Sequence, residues 1–159
     1  STRVGIYTIV GSTNTNITGC LIYAKGASST TGVEHTGGAT SGGPLMINTT
    51  INGFPDAVSF DVIDGITSTV MPVILDCIMS NATNGIINGS ATQDMAIYLS
   101  TIAFFNVTTP MYAGDKIIVN QIALSVDPYV DASTNDFSLN DTAGGGTDCR
   151  NARLFSAGV

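Results

Sequence analysis

The sequence predicts an all-β protein whose short strands form the successive coils of a solenoid. Three observations support this fold class. The apolar segments are short and rich in β-branched residues, Gly, Pro and Asn interrupt them, and a similar segment returns at spacings of roughly 24 to 30 along the chain. An antiparallel β-sandwich is the alternative, because Asn-Gly steps also mark hairpins.

Four segments carry the repeat. When they are aligned on Cys20, Thr50, Cys77 and Thr101, the successive sequence numbers differ by 30, 27 and 24. Each segment is followed by a break rich in Gly, Asn or Thr and then by a second short apolar piece. These pieces are residues 32–35, 57–63, 85–89 and 116–126. A strand, a corner and a second strand in fixed order indicate four coils of a solenoid.

The breaks contain three Asn-Gly steps, at residues 52–53, 84–85 and 88–89. Asn and Gly tolerate the left-handed backbone conformation that a solenoid corner needs. We therefore interpret these steps as corners rather than as hairpin turns. No segment sustains a 3.6-residue period, so no helix is predicted.

The strands are apolar on both of their faces. In residues 73–80, the sequence VILDCIMS places apolar side chains on both parities, as does IYLSTIAFF at 97–105. A strand that is apolar on both faces is typical of a sheet covered on both sides. We expect either a partner or symmetry mate over the outer face, or a bend within the strand that switches the inward parity.

The composition limits the classes of partner. The chain has 159 residues, about one domain, with a formal charge of −7 and only 11% charged residues. Few clustered cations argue against a nucleic-acid partner, whose binding needs Lys and Arg. No apolar stretch reaches the roughly 20 residues that span a bilayer, so no membrane partner is predicted. The polarity comes from 21 Thr, 14 Ser and 12 Asn, which suits the outside of a cell or a virion.

The amino-acid composition of the chain changes after Val126. Asp127-Pro128 ends the last predicted strand, and Gly144 to Gly146 are expected to hold no regular element. The stretch DPYVDASTNDFSLNDTAGGG at 127–146 resembles the closing segment of right-handed parallel β-helix proteins of phage virions and bacterial surfaces. The match is carried by Asp127, Pro128, Val130, Asp131, Ala132, Asp136, Phe137, Leu139 and Asn140.

This resemblance implies a short right-handed parallel β-helix. DCIMSNATNGIING at 76–89 also resembles a single coil of such a helix. On this interpretation, residues 1–126 form the repeat domain and residues 127–159 form an irregular C-terminal capping tail. Proteins with this fold include polysaccharide-cleaving enzymes, tailspikes and passive surface proteins, so the fold leaves the activity open.

The ionisable residues do not form a recognisable catalytic or metal-binding pattern. Carbohydrate cleavage on such a fold needs paired carboxylates, or a carboxylate-bound calcium with a basic residue. The acids within the predicted coils are Asp56, Asp61, Asp64, Asp76 and Asp94. The cations lie outside the coils or at opposite ends of the stack, and Glu34-His35 is expected to be solvated. We predict no catalytic residue, no metal site and no cofactor.

The three cysteines are too few for a disulfide framework. If Cys20 and Cys77 occupy equivalent places two coils apart, their Cα atoms are separated by roughly 9 to 10 Å, beyond the reach of a disulfide. Both are then expected to be buried, reduced thiols. Cys149 in the tail is expected to be the most readily alkylated.

Six Asn-x-Ser/Thr sequons occur in the chain. Asn16, Asn81, Asn88 and Asn140 are candidate glycosylation sites, whereas Asn48 and Asn106 fall within predicted strands. The alternative is that Asn and Thr recur because they suit corners and strands.

Together these observations predict a non-enzymatic structural protein of a virion, such as a phage fibre, tailspike or decoration subunit. An extracellular cell-surface or filament subunit, with or without glycosylation, is the alternative, and a polysaccharide-processing enzyme is the third. Open strand edges at the ends of a short stack predict a homo-oligomer, with a trimer favoured. Other structural subunits and surface glycans are further expected partners.

Overall fold

The structure, a computed structural model, describes residues 3–8, 15–25, 29–37, 44–62, 72–88, 97–111, 116–118 and 120–155. These residues form thirteen strands, one 3₁₀ helix and one α-helix. The strands are β1 Arg3–Thr8, β2 Asn16–Thr18, β3 Leu21–Tyr23, β4 Ser29–Gly37, β5 Leu45–Ile47, β6 Thr50–Asn52, β7 Asp56–Val62, β8 Val73–Asn88, β9 Ile97–Met111, β10 Lys116–Ile118, β11 Gln121–Leu124, β12 Tyr129–Asp131 and β13 Asp136–Leu139. The 3₁₀ helix spans Ala132–Thr134, and α1 spans Gly146–Asn151.

Strands β1 to β11 belong to one 11-stranded sheet in which every pairing is parallel. The antiparallel sandwich is therefore excluded. The all-β class and the extensive parallel pairing are confirmed.

The sheet consists of three ladders that the chain visits in a fixed order. Ladder A contains β2, β5, residues 73–75 of β8, residues 98–100 of β9, and β10. Ladder B contains β3, β6, residues 78–80 of β8, residues 102–105 of β9, and β11. Ladder C contains β1, β4, β7, residues 84–88 of β8, and residues 109–111 of β9.

Each ladder therefore has five strand segments, one more than the four predicted coils. Residues 116–124 form a repeat of their own instead of completing the fourth one. The ladder C strand of the fourth repeat is 109–111, which contains Pro110. Because Pro is found only in edge strands or at bulges, this segment is not recognisable as a strand from its sequence.

The predicted alignment of the repeats is wrong by one residue at two places. Leu21, Thr50 and Ile78 are in register, so Cys20 aligns with Thr49 and not with Thr50. Cys77 pairs with Ile102 and not with Thr101. The sequence alone does not show which of the adjacent residues Thr49 and Thr50 is equivalent to Cys20, whereas the register of the ladder does.

Two stacked corners connect the ladders, and both use left-handed backbone conformations. Between ladders A and B, the corner residues Gly19, Asn48, Asp76 and Thr101 have φ of 63°, 49°, 52° and 55°. Between ladders B and C, the corner residues Gly53, Asn81 and Asn106 have φ of 80°, 52° and 49°. Gly and Asn adopt this conformation at lower cost than other residues. The corner interpretation is right for Gly53, whereas Asn84-Gly85 lies within β8.

The first hydrophobic core lies between the three ladders. It combines Ile17, Met46, Ile74 and Leu99 of ladder A with Ile51, Met79 and Phe104 of ladder B and Val33, Val58 and Ile86 of ladder C. Ladders B and C approach closely: a Cβ on Gly32 would lie 2.6 Å from Ile51 Cγ2, and one on Gly85 2.6 Å from Phe104 Cε1. Glycine is therefore required at these two strand positions.

A second core covers the other side of ladder B. Ile78, Ala103 and Leu124 of ladder B are buried there against Tyr129, Phe137, Cys149 and Leu154, which follow the last repeat. The ring centroids of Phe137 and Tyr23 are 5.5 Å apart, and those of Phe137 and Tyr129 are 5.1 Å apart. The tail thus runs back along the sheet from the fifth repeat to the first.

The tail has defined secondary structure that its own side chains stabilise. Asn140 Nδ2 donates to the carbonyl oxygens of Asp127 and Tyr129 at 2.7 and 2.8 Å, and Oδ1 accepts from the N–H groups of Thr142 and Gly146, both at 3.1 Å. A side chain on Gly146 would overlap the main chain of Asn140. Gly146 nevertheless begins α1, because packing of Cys149 and Leu154 on the sheet stabilises this short helix against its low propensity.

Three acidic residues of the tail act as local turn acceptors. The carboxylates of Asp127, Asp131 and Asp136 each accept from the N–H group two residues later, at 3.0, 3.1 and 3.0 Å. The Ser133 hydroxyl also donates to Asp131 and lowers the pKa of that carboxyl. The residues that carry the family resemblance therefore include several with structural roles in the tail.

Of the two explanations for strands that are apolar on two faces, the bend within the strand is found, whereas the cover over the outer face comes from the same chain instead of the expected partner or symmetry mate. Left-handed residues at Asp76 and Asn81 bend β8 and change which residues face the first core. In addition, Ile78 faces the second core while its neighbour Met79 faces the first. The cover over ladder B is the tail of the same chain.

We predict that Phe137→Ala lowers the free energy of unfolding by about 3 to 5 kcal/mol, because a large cavity forms between the tail and the sheet. Val130→Thr is the matched control, since Val130 is 57% exposed in β12; its effect should stay within about 0.5 kcal/mol. Urea unfolding measures both values. Equal effects of the two substitutions would contradict the packing of the tail on ladder B.

Candidate functional site

The corner between ladders B and C contains a row of hydrogen-bonded asparagine side chains. Asn106 Nδ2 donates to Asn81 Oδ1 at 2.9 Å, and Asn81 Nδ2 donates to Asn52 Oδ1 at 2.8 Å. The Ser80 hydroxyl donates to the same Asn52 oxygen at 2.9 Å. We call Asn52, Asn81 and Asn106 the asparagine row. From sequence these residues are interpreted as sequons or as an Asn-Gly step, although their separations of 29 and 25 along the chain fall within the range of the repeat.

The asparagine row borders a cleft of about 340 Å³. The cleft is lined by Gly53, Phe54, Pro55, Asn81, Ala82, Thr83, Asn106 and Thr108. Phe54 and Ala82 are buried at its base, whereas Thr83 and Thr108 are exposed and lie one repeat apart. The lining offers amides and hydroxyls but no ionisable side chain. It can form hydrogen bonds with a neutral group but cannot supply acid–base chemistry.

The acidic residues considered for catalysis do not come together in the described part of the chain. Asp56 begins β7 in ladder C, where its Oδ1 accepts from Asn84 Nδ2 at 2.7 Å. Asp76 is a left-handed corner residue between ladders A and B. Asp61 lies in β7, but its side chain is outside the described residues, as are Asp64 and Asp94. Asp56 and Asp76, the two members of this group whose side chains are described, therefore lie at different places in the coil.

His35 is buried, and the expectation that it is solvated is wrong. It is 4% exposed, and its Nδ1 lies 2.7 Å from Thr8 Oγ1 of the adjacent strand β1. On its other side, the Phe60 ring packs edge-on with a centroid distance of 6.3 Å. The alternation of β4 turns His35 into the stack together with Val33, and burial lowers its pKa. His35 thus connects β1 to the rest of ladder C through its hydrogen bond with Thr8 and its contact with Phe60.

Cys20, Thr49 and Cys77 repeat one interaction at the corner between ladders A and B. Each side chain donates to the carbonyl oxygen two residues earlier: Cys20 to Thr18 at 3.4 Å, Thr49 to Ile47 at 3.1 Å, and Cys77 to Leu75 at 3.1 Å. Cys20, Cys77 and the tail residue Cys149 are all unpaired thiols. The predicted equivalence of Cys20 and Cys77 is confirmed, with Thr49 between them.

The predicted accessibility of the thiols is wrong for Cys149 and Cys20. Cys149 is fully buried in the second core, whereas Cys20 is only half-buried. The error arises because the tail is folded onto the sheet and shields Cys149. Burial raises the pKa of Cys149 to about 11 and that of Cys77 to about 12.

The four candidate glycosylation sites lie in different environments. Asn16 is exposed in β2. Asn81 and Asn140 use their Nδ2 atoms in the hydrogen bonds described above, so a glycan on either would require those bonds to break. Asn88 ends β8, and its side chain lies outside the described residues. Asn48 and Asn106 occupy left-handed corners.

Among the described residues, no group of three or more His, Cys, Asp or Glu side chains is arranged to hold a metal ion. No described helix has the length and apolar character needed to cross a membrane.

Comparisons with models of protein families, with curated proteins and with solved structures found no match to this chain. The resemblance of residues 127–146 to the closing segment of β-helix proteins therefore stays a prediction.

We predict that Asn81→Ala is more destabilising than Asn81→Gly. Both substitutions remove the amide hydrogen bonds, at about 0.5 to 1.5 kcal/mol each, but only alanine adds the cost of the left-handed conformation, roughly 1 to 2 kcal/mol. Urea unfolding of the two variants separates these contributions. Equal stability of the variants would contradict the left-handed corner at Asn81.

We predict that the contribution of His35 to stability decreases as the pH falls through about 6.5, the ordinary pKa of histidine. The folded state favours neutral His35, so the unfolded state takes up the proton first and gains stability on acidification. The unfolding free energy of His35→Gln, subtracted from that of the wild type between about pH 7.5 and about pH 5, isolates this contribution from the carboxylates. A difference that is constant with pH would show that His35 is not buried.

We predict that Cys20 is alkylated first in the native protein. Cys20 is partly exposed, whereas Cys77 and Cys149 are buried with raised pKa values, and the thiolate is the reactive form. Iodoacetamide labelling followed by peptide mapping gives the order, with urea-unfolded protein as the control in which all three react. Faster labelling of Cys149 would show that the tail is not folded on ladder B.

Proposed function

We propose that the chain is a non-enzymatic structural protein built on a short right-handed parallel β-helix, and that it forms part of a virion as a fibre, tailspike or decoration subunit. The observation that carries the proposal is the fixed order in which the chain visits ladders A, B and C. One passage through the three ladders is one coil of such a helix.

The use of the polar side chains supports a structural role. The asparagine row, the Asp56–Asn84 pair and the carboxylates of the tail all hydrogen-bond within the chain at the positions described above. Groups engaged in this way stabilise corners and turns. The cleft beside the asparagine row has no acidic or basic side chain. The low fraction of charged residues in the chain, 11%, suits an exposed, passive surface.

A cell-surface or filament subunit is the second candidate. It is favoured by the exposed sequon at Asn16, whose side chain could carry a glycan without the loss of a described hydrogen bond. A glycan on Asn16 but not on Asn140 is the pattern that this candidate predicts.

We further propose that the protein self-associates, with a trimer as the expected assembly of a fibre-like protein. Strand edges at the ends of a stack are covered by a cap or by a neighbouring molecule in native proteins.

Immunogold labelling with antibodies against the folded chain distinguishes the two locations. Labelling of purified virions is the expected result, and labelling confined to cell surfaces or filaments would favour the second candidate. Antibodies preabsorbed with the purified protein are the control. Release of reducing sugar from acidic polysaccharides, if lost in Asp61→Asn, would contradict the non-enzymatic role.

A further inference from the structure

The last repeat leaves one edge of ladders A and B without a neighbouring strand. β10 and β11 each pair with β9, and no other strand of the described residues pairs with them. Such an edge presents unpaired N–H and C=O groups that pair readily with another chain. After Leu124, the N–H groups of Ser125 and Val126 both bond to the Gly144 oxygen, which directs the chain along the side of ladder B.

The first core is uncovered at this end. In ladder A, four residues in register have exposed fractions of 4, 2, 1 and 1%, but the fifth, Ile118, is 38% exposed. The first four are Ile17, Met46, Ile74 and Leu99. In ladder B, Ala123 continues a row of buried residues and is itself exposed. That row is Ile22, Ile51, Met79 and Phe104.

The opposite end of the stack is covered. Ile17 and Ile22 belong to the first repeat, and they are only 4% and 8% exposed. β1 packs directly against Ile22: a Cβ on Gly5 would lie only 2.8 Å from Ile22 Cγ2. In a head-to-tail stack, the uncovered end of one molecule would contact the covered N-terminal end of the next. The uncovered ends of two molecules therefore suit each other better than either suits an N-terminal end.

We propose that the end formed by β10 and β11 is a self-association surface, at which two copies of the chain join end to end across a two-fold axis that lies between their β11 strands. This inference rests on the proposed self-association and names its surface, but it specifies a closed pair of copies in place of the expected trimer. A two-fold contact of this kind makes the two β11 strands antiparallel and closes after two copies.

The chemistry of the surface suits a second copy of the chain. The exposed side chains described in and beside β11, Asn120, Gln121 and Ala123, carry no charge, so a contact centred on β11 brings no like charges together across them. The side chain of Lys116 in β10 lies outside the described residues. The net charge of −7 on each copy still opposes their approach, and salt should strengthen the contact by screening this repulsion. The contact is formed by strands of only 3 and 4 residues, so we expect a concentration-dependent dimer.

Sedimentation equilibrium of the full chain and of Ala123→Lys tests the contact. The dissociation constant should rise at least about tenfold in the variant, because an unpaired charge is then buried between the copies. Val130→Lys is the matched control: it places the same charge on an exposed apolar strand residue of the tail, and its dissociation constant should be unchanged.

A cross-linking variant tests the geometry without relying on the lysine substitution. Ala123→Cys in a Cys20→Ser background should form a disulfide-linked dimer under mild oxidation, since the two-fold axis places the two Cys residues near each other. Monomers at every concentration, or open-ended polymers, would overturn the proposed contact. A trimer that survives Ala123→Lys would also overturn it, while leaving the proposed structural function intact.

Discussion

The register of the two left-handed corners is the constraint on which the rest of the structure depends. A left-handed conformation costs an L-residue about 1 to 2 kcal/mol, so it persists only where the residue or its surroundings compensate. Gly19, Gly53 and the asparagines are inherently tolerant. Thr101 is not, but it lies in β9 directly before Ile102, which pairs with Cys77, and the parallel pairing on either side holds it in place.

Ladder B differs from the other two ladders because it separates two cores. Its third and fourth segments are buried on both sides over residues 78–80 and 102–104, as in parallel sheets covered on both faces. Tyr129 shows how the polar groups of this interface are satisfied: its hydroxyl lies 3.0 Å from Ser80 Oγ, and burial raises its pKa so that it stays protonated. The tail thereby couples repeats that are distant along the stack, since Tyr129 contacts the third repeat and Phe137 the first.

The polar side chains at the corner between ladders B and C are engaged with one another. Amide side chains in successive repeats hydrogen-bond to one another, and this arrangement uses the groups that could otherwise bind a ligand. His35 is similarly engaged within ladder C. The cleft beside the asparagine row has only neutral lining groups.

The sequence alone determined the all-β class, the presence of a repeat and the equivalence of Cys20 with Cys77, because these depend on periodicity and on local backbone preference. It could not determine the register at Thr49, the strand that contains Pro110, or the burial of His35 and Cys149. Register depends on which of two similar neighbours is hydrogen-bonded across the ladder, and burial depends on what packs over a residue from elsewhere in the chain. The tail illustrates the difference. Its turn-forming acids are local signals that can be read in sequence, whereas its position on ladder B follows from contacts between residues far apart in the chain, such as Tyr23 and Phe137.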